Sequence, residues 1–163
     1  MHDVHSPYVP TVVSIIEPLR YGCRIDIHAK VNDCPHKSSR NSAVELLFGP
    51  QIILHINFRF HQDHVVVMNS ASYGNWGDEV RRHHSCDSFH LRIHLHHDHY
   101  EIDLNGKLMA YYAHRFPMES VQALGLKDWN SEYDYEHCDY SAYGTDDYEP
   151  PCFDPNSSYN AYF

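Results

Sequence analysis

Apolar and polar positions alternate along much of the chain. In Arg24-Ile25-Asp26-Ile27-His28-Ala29-Lys30-Val31 every second side chain is apolar, and the same period of two recurs over Ala43 to Phe48, Ile52 to Phe60, Val65 to Asn69, Phe89 to Leu95 and Tyr100 to Leu104. A period of two belongs to an extended strand with one buried face, because successive side chains of a strand point to opposite sides. Gly, Pro, Asn and Asp separate these segments, and none of them sustains a helical period. Many short strands over about 130 residues predict an all-β fold, an antiparallel β-sandwich or barrel with little helix.

Composition narrows the class. A chain of 163 residues with 42% hydrophobic and 13% aromatic residues suits one domain with a real core. The formal charge is -10, which argues against nucleic acid, whose phosphates call for clustered Lys and Arg. That charge is uneven. Residues 131–163 hold eight acids (Glu132, Asp134, Glu136, Asp139, Asp146, Asp147, Glu149 and Asp154) and no Lys or Arg, so residues 1–130 carry fourteen acids against twelve bases. The same stretch holds Tyr133, Tyr135, Tyr140, Tyr143, Tyr148, Tyr159 and Tyr162 and almost no aliphatic residue. It is expected to supply a last strand near Tyr133 and Tyr135 and then, over 141–163, a flexible Tyr/Asp/Pro-rich tail.

No apolar run approaches the roughly 20 residues of a membrane span, and no h-region follows the start MHDVHSPYVP. The expectation is a cytoplasmic protein without membrane insertion, with export independent of a signal peptide left open. Cys23, Cys34, Cys86, Cys138 and Cys152 are odd in number and show no CxxC spacing, the pattern of reduced thiols rather than of a disulfide framework or zinc ribbon.

The strand His55-Ile56-Asn57-Phe58-Arg59-Phe60 carries the first chemistry. Ile56, Phe58 and Phe60 share one face, and His55, Asn57 and Arg59 share the other, a polar row against an apolar one. Asn69 closes the next strand, VVVMN, and WGDEVR follows with Trp76, Glu79 and Arg81. Glu79 and Arg81 are two apart, so on an extended segment they share a face and can pair, which keeps the carboxylate an acceptor.

A His-x-Asn-x-Arg strand, a Val-x-Asn strand and Trp-Gly-x-Glu-x-Arg, in this order and separation, resemble the carbohydrate-recognition signature of galectins. The likeness extends to Tyr21-Gly22 with RIDIHAKV, to EIDLNG and to HRFP at His114 to Pro117, and covers roughly residues 8–135. It implies an antiparallel jelly-roll sandwich of two sheets, with a recognition domain over residues 8–140. It also implies a non-catalytic lectin for β-galactoside glycans on glycoproteins or glycolipids that needs no cofactor, with homodimer formation and cross-linking left open. The carbohydrate-binding residues it implies are His55, Asn57, Arg59, Asn69, Trp76, Glu79 and Arg81. Trp76 would cover the apolar face of the ring and the polar row would grip the axial 4-OH. Asn69 and Glu79 would take the 6-OH, and Arg59, Glu79 and Arg81 would form a charged network toward the next sugar.

Two departures qualify the likeness. Phe58 stands where galectins usually carry Pro, and the short connection HQDH after Phe60 would shrink one wall of the groove, leaving His61 or His64 to meet the second sugar. A second constellation lies in HLRIHLHHDHYEID, where alternation sends Phe89, Leu91, Ile93 and Leu95 inward and His90, Arg92, His94 and His96 outward. A hairpin turning near Asp98 is expected to bring His97 close to His99. Exposed histidines without a supporting carboxylate pattern are usually a solvated strand face, so no metal is expected, although Asp98, Glu101 and Asp103 lie nearby. Two other readings follow. One is a galectin-like protein with lost or altered sugar binding that acts through protein contacts, and the other is a metal-binding jelly-roll protein built on the His cluster. No nucleophile elbow, phosphate loop or carboxylate pair set for glycoside hydrolysis is visible, so no catalytic residue is assigned.

Overall fold

The computed structural model describes residues 2–4, 11–15, 17–30, 42–59, 64–84, 88–128, 138–143 and 153–154. Two antiparallel sheets face each other. One holds six strands in the order β1 (His2–Val4), β13 (Cys138–Tyr143), β3 (Arg24–Lys30), β9 (Ser88–Leu95), β10 (His99–Leu104) and β11 (Lys107–Ala113). The other runs β14 (Phe153–Asp154), β2 (Thr11–Ile15), β12 (Ala123–Asp128), β4 (Ser42–Phe48), β5 (Gln51–Arg59), β6 (Val65–Ser72) and β7 (Asn75–Trp76), with β8 (Val80–His83) also paired to β6. Among the described residues the only helical element is a 3-10 turn at Met118–Ser120, so the all-β sandwich expected from the alternation is what forms.

The core lies between the sheets. Ile25 and Ile27 of β3, Leu91, Ile93 and Leu95 of β9 and Ile102 and Leu104 of β10 meet Leu46 of β4, Ile56 and Phe58 of β5 and Val66 and Met68 of β6. Each sits at every second position of its strand, so burial follows the pleat. Phe58 is inward and buried, as expected for a substitution that alters packing rather than sugar contacts. β10 passes to β11 through Asn105 and Gly106, at φ +52° and +77°, a two-residue turn whose left-handed backbone Asn and Gly accept readily.

Burial is not confined to the core face. In β6 every residue from Val65 to Ala71 is buried, because the outward side of β5 and β6 is covered by the segment carrying Trp76 and by the side chains around it. Tyr100 and Tyr112 are buried with their hydroxyls away from solvent. Burial raises both phenol pKa values, with the Tyr112 shift partly offset by Ser70 and Arg115. The Tyr100 hydroxyl has no hydrogen-bond partner among the described residues. An unpaired buried hydroxyl carries a desolvation penalty, so Tyr100→Phe is expected to leave the melting free energy unchanged or raise it by up to about 1 kcal/mol. Thermal and urea denaturation would check this, and a loss of stability would reveal a partner for the hydroxyl.

The last strand expected around Tyr133 and Tyr135 falls outside the described residues. So does most of the expected tail, of which 141–143 belong to β13 and 153–154 to β14, each paired within a sheet.

Candidate functional site

The outward face of the larger sheet is built by strand register. Gly125 of β12, Glu45 of β4, His55 of β5 and Asn69 of β6 are successive cross-strand partners, and Lys127, Ala43, Asn57, Val67 and Arg81 form the next row. Directly opposed side chains on one face stand close enough to interact. Gly125 and Ala43 are the small members of these rows, so the long polar groups beside them have room.

His55 is held from behind. Its Nδ1 lies 2.8 Å from Glu45 Oε1, and Lys127 Nζ lies 2.8 Å from the other carboxylate oxygen. Glu45 is 1% exposed. Burial pushes its carboxyl pKa up, but hydrogen bonds and charge from His55 and Lys127 outweigh this, and the net direction is below the ordinary 4.5. The ionised Glu45 therefore accepts a hydrogen bond from His55 Nδ1–H, which directs the Nε2 edge of the ring toward Asn57. Asn57 Nδ2 hydrogen-bonds His55 Nε2 at 3.4 Å. Two buried atoms on this face, Asn57 Oδ1 and Arg59 Nε, have no hydrogen-bond partner among the described residues. Buried polar atoms are normally paired, so an acceptor and a donor left open side by side are groups prepared for a ligand.

Trp76 forms the wall. It is 49% exposed, and its ring stands edge-on to His55 with centroids 5.0 Å apart. The backbone that carries it is clamped. Gly77 N donates to Ser70 O, Asn69 Nδ2 donates to Gly77 O at 2.9 Å, and Arg115 donates to Asn69 Oδ1 at 2.9 Å, to Ser70 Oγ at 3.1 Å and to Asp78 O at 2.6 Å. A Cβ on residue 77 would stand 2.7 Å from Arg115 Nη1, so any side chain here would have to displace the guanidinium from its hydrogen bonds. Glu79 and Arg81 pair at 2.8 Å on the rim.

Six of the seven residues singled out in the sequence thus lie in β5, β6, β7 and β8 of the larger sheet, and Glu79 lies in the connection between β7 and β8. Their partnerships differ in part from expectation. Among the described residues the ion pair seen in this group is Glu79–Arg81, without Arg59. The Asn69 side-chain carbonyl accepts from Ser70 N and Arg115 Nη1, and one of its N–H groups goes to Gly77 O, so one N–H is left. His64 is exposed at φ +51°, and its carbonyl accepts from His84 N, while His61 lies outside the described residues. Sequence reasoning missed Glu45, Lys127 and Arg115 as supporting groups. Arg115 stands within the HRFP segment, but nothing local shows that it reaches back 46 residues.

Comparison with known proteins agrees with this geometry. The family model for galactoside-binding lectins matches residues 10–130. The chain belongs to the galectin family. Caenorhabditis elegans "Probable galaptin lec-8" is 44% identical with both chains covered in full, and "Probable galaptin lec-7" of the same organism is 38% identical over 78% of this chain and 71% of its own length. Among solved structures, the C. elegans galectin LEC-6 superposes with TM-score 0.69 at 20% identity, covering 86% of this chain and 96% of that one. Sheep galectin-11 in complex with glycerol superposes with TM-score 0.68 at 23% identity, covering 82% and 96%. These two likenesses speak for the galectin sandwich fold.

The galectin hairpin of β9 and β10 corrects one expectation. His99 meets His96, not His97: His96 N donates to His99 O, and the two rings stack at 4.6 Å. The pair closes the hairpin at directly opposed positions and so shares a face, whereas His97, in the turn, is stacked on Tyr21 at 4.2 Å.

Proposed function

We propose that this galectin binds β-galactoside glycans without catalysis, through His55, Asn57, Arg59, Asn69, Trp76, Glu79 and Arg81. The observation that carries the reading is the pair of unpartnered buried atoms, Asn57 Oδ1 and Arg59 Nε, on the strand face that also carries His55, beside a half-exposed indole. A galactoside offers an apolar patch of ring C–H groups and an axial 4-OH. The indole suits the first, and adjacent donors and acceptors suit the second. A sugar with an equatorial 4-OH leaves those groups unpaired, at a cost on the order of 1–3 kcal/mol for each. Arg59 provides a planar fork that a single ammonium does not reproduce. Glu79 accepts a hydrogen bond from Arg81 on the rim, which fits a role in binding.

A shallow groove holds one or two sugars, so a dissociation constant from about micromolar to millimolar is expected. Cross-linking of glycoproteins or glycolipids then requires more than one site, supplied by a homodimer or by self-association of residues 141–163. No described helix is long and apolar enough to cross a membrane. We propose a cytoplasmic location, with encounter of surface glycans after export.

Isothermal titration with lactose and with cellobiose tests the reading. Lactose should bind, and cellobiose, with its equatorial 4-OH, should bind roughly tenfold or more weakly. Arg59→Lys should weaken lactose binding by a similar factor. Equal affinity for the two disaccharides would contradict the role of the polar row. Absence of any binding would favour the alternative of a groove that serves protein contacts.

A further inference from the structure

The outer face of the smaller sheet carries a second cluster that the glycan site does not use. His94 points outward from β9, His96 follows just beyond its end, and His99, Glu101 and Asp103 point outward from β10. His94 is the direct cross-strand partner of Glu101, and His96 stands opposite His99. His96 Nε2 lies 3.2 Å from Glu101 Oε2, and His94 Nε2 lies 3.6 Å from Asp103 Oδ2. Ligand atoms of His96, His99 and Glu101 fall within 4.8 Å of one another, as do those of His94, Glu101 and Asp103.

A tetrahedral ion about 2.0–2.1 Å from nitrogen and oxygen donors holds those donors roughly 3.3 Å apart. These side chains are only partly buried, so small χ rotations close the difference. The missing carboxylate support is present: His99 Nδ1 donates to Asp98 Oδ1 at 2.6 Å, which fixes the ring and leaves Nε2 to coordinate. Cross-strand ion pairing alone accounts for His96 with Glu101 and for His94 with Asp103. It gives no reason for two imidazoles to be stacked within 4.6 Å of each other, an arrangement that repels if both rings are charged and serves if both are neutral ligands.

We propose that the β9–β10 hairpin binds a divalent transition-metal ion, zinc foremost, through His96, His99 and Glu101, with Asp98 orienting His99 and with His94 and Asp103 flanking. Two imidazoles and one carboxylate suit zinc, copper or nickel and not calcium or magnesium, which take oxygen donors. The site is on the opposite sheet from Trp76, so metal binding and glycan binding are independent.

Zinc titration of the full, chelator-stripped chain tests the site, read by calorimetry and by the rise in melting temperature that a ligand of the folded state produces. The chain should bind zinc at micromolar concentration or tighter and should not respond to calcium. His99→Ala and Glu101→Gln should each lose roughly tenfold or more in affinity, and Asp98→Asn roughly tenfold, while His97→Ala stays unchanged. Circular dichroism establishes that each variant is folded, and lactose affinity should be the same in all of them. Zinc binding no tighter than millimolar, or a His96→Ala/His99→Ala double variant that keeps the full affinity and stoichiometry, would overturn the assignment. The latter result would place the metal on other histidines or on cysteines.

Discussion

Trp76→Ala is expected to abolish retention on immobilised lactose while leaving the fold intact. The indole is half exposed and contributes little to the core between the sheets, so the variant should melt within about 0.5 kcal/mol of the parent. Its loss from the groove removes the one flat apolar surface beside His55. Affinity should fall by at least roughly tenfold, or about 1.4 kcal/mol, measured by titration. Gly77 and Arg115 keep the segment in place without the ring, so the effect is assigned to the platform itself. A folded Trp76→Ala variant that still binds lactose would remove Trp76 from the site.

Glu45→Ala is expected to damage both stability and binding. It strips the carboxylate from a buried group that contacts His55 and Lys127 at 2.8 Å each, and breaking such a pair by removing one partner costs about 3 kcal/mol or more. Lys127 is partly exposed and can turn to solvent, so the greater loss falls on His55, whose Nδ1 no longer has an acceptor and whose ring is free to turn. Glu45→Gln, which keeps an acceptor but no charge, should fold better and bind lactose more weakly than the parent. The pH dependence has a definite sign. The folded Glu45 carboxyl titrates below its ordinary 4.5, so its contribution is present above that value and is lost as pH falls through the lower folded one. Acid denaturation of Glu45→Gln should lack this component. Parallel acid limbs for parent and variant would show that the pair does not stabilise the fold.

The strands that were legible in the sequence are those whose polar and apolar residues alternate, even where, as in β4 and β5, both faces are buried. β3, β4, β5, β9 and β10 begin and end within one residue of where alternation placed them. β11 was not legible, because Leu108 and Tyr111 are apolar yet exposed while Ala110 is small yet buried, which erases the contrast. β12, Ala-Leu-Gly-Leu-Lys-Asp, is buried from Ala123 to Leu126, so no alternation exists to be read. In the site, His55, Asn57 and Arg59 were visible because they share one strand. Glu45 and Lys127 were not, since their link to His55 exists only through the register of β4, β5 and β12, across ten residues on one side and more than seventy on the other. For the same reason, the contact of His96 with His99 depends on how the hairpin closes, which spacing alone misassigned to His97.

The central claim is that a hexopyranose sits between the polar row of β5 and the indole of residue 76. Lactose titration followed by NMR on isotopically labelled protein tests it most directly. The account predicts that shifts concentrate on the side-chain signals of His55, Asn57, Arg59, Asn69 and Trp76, with the hairpin histidines His94, His96 and His99 unmoved. Saturating shifts centred on any other surface, with His55 and the Trp76 indole unperturbed, would contradict it.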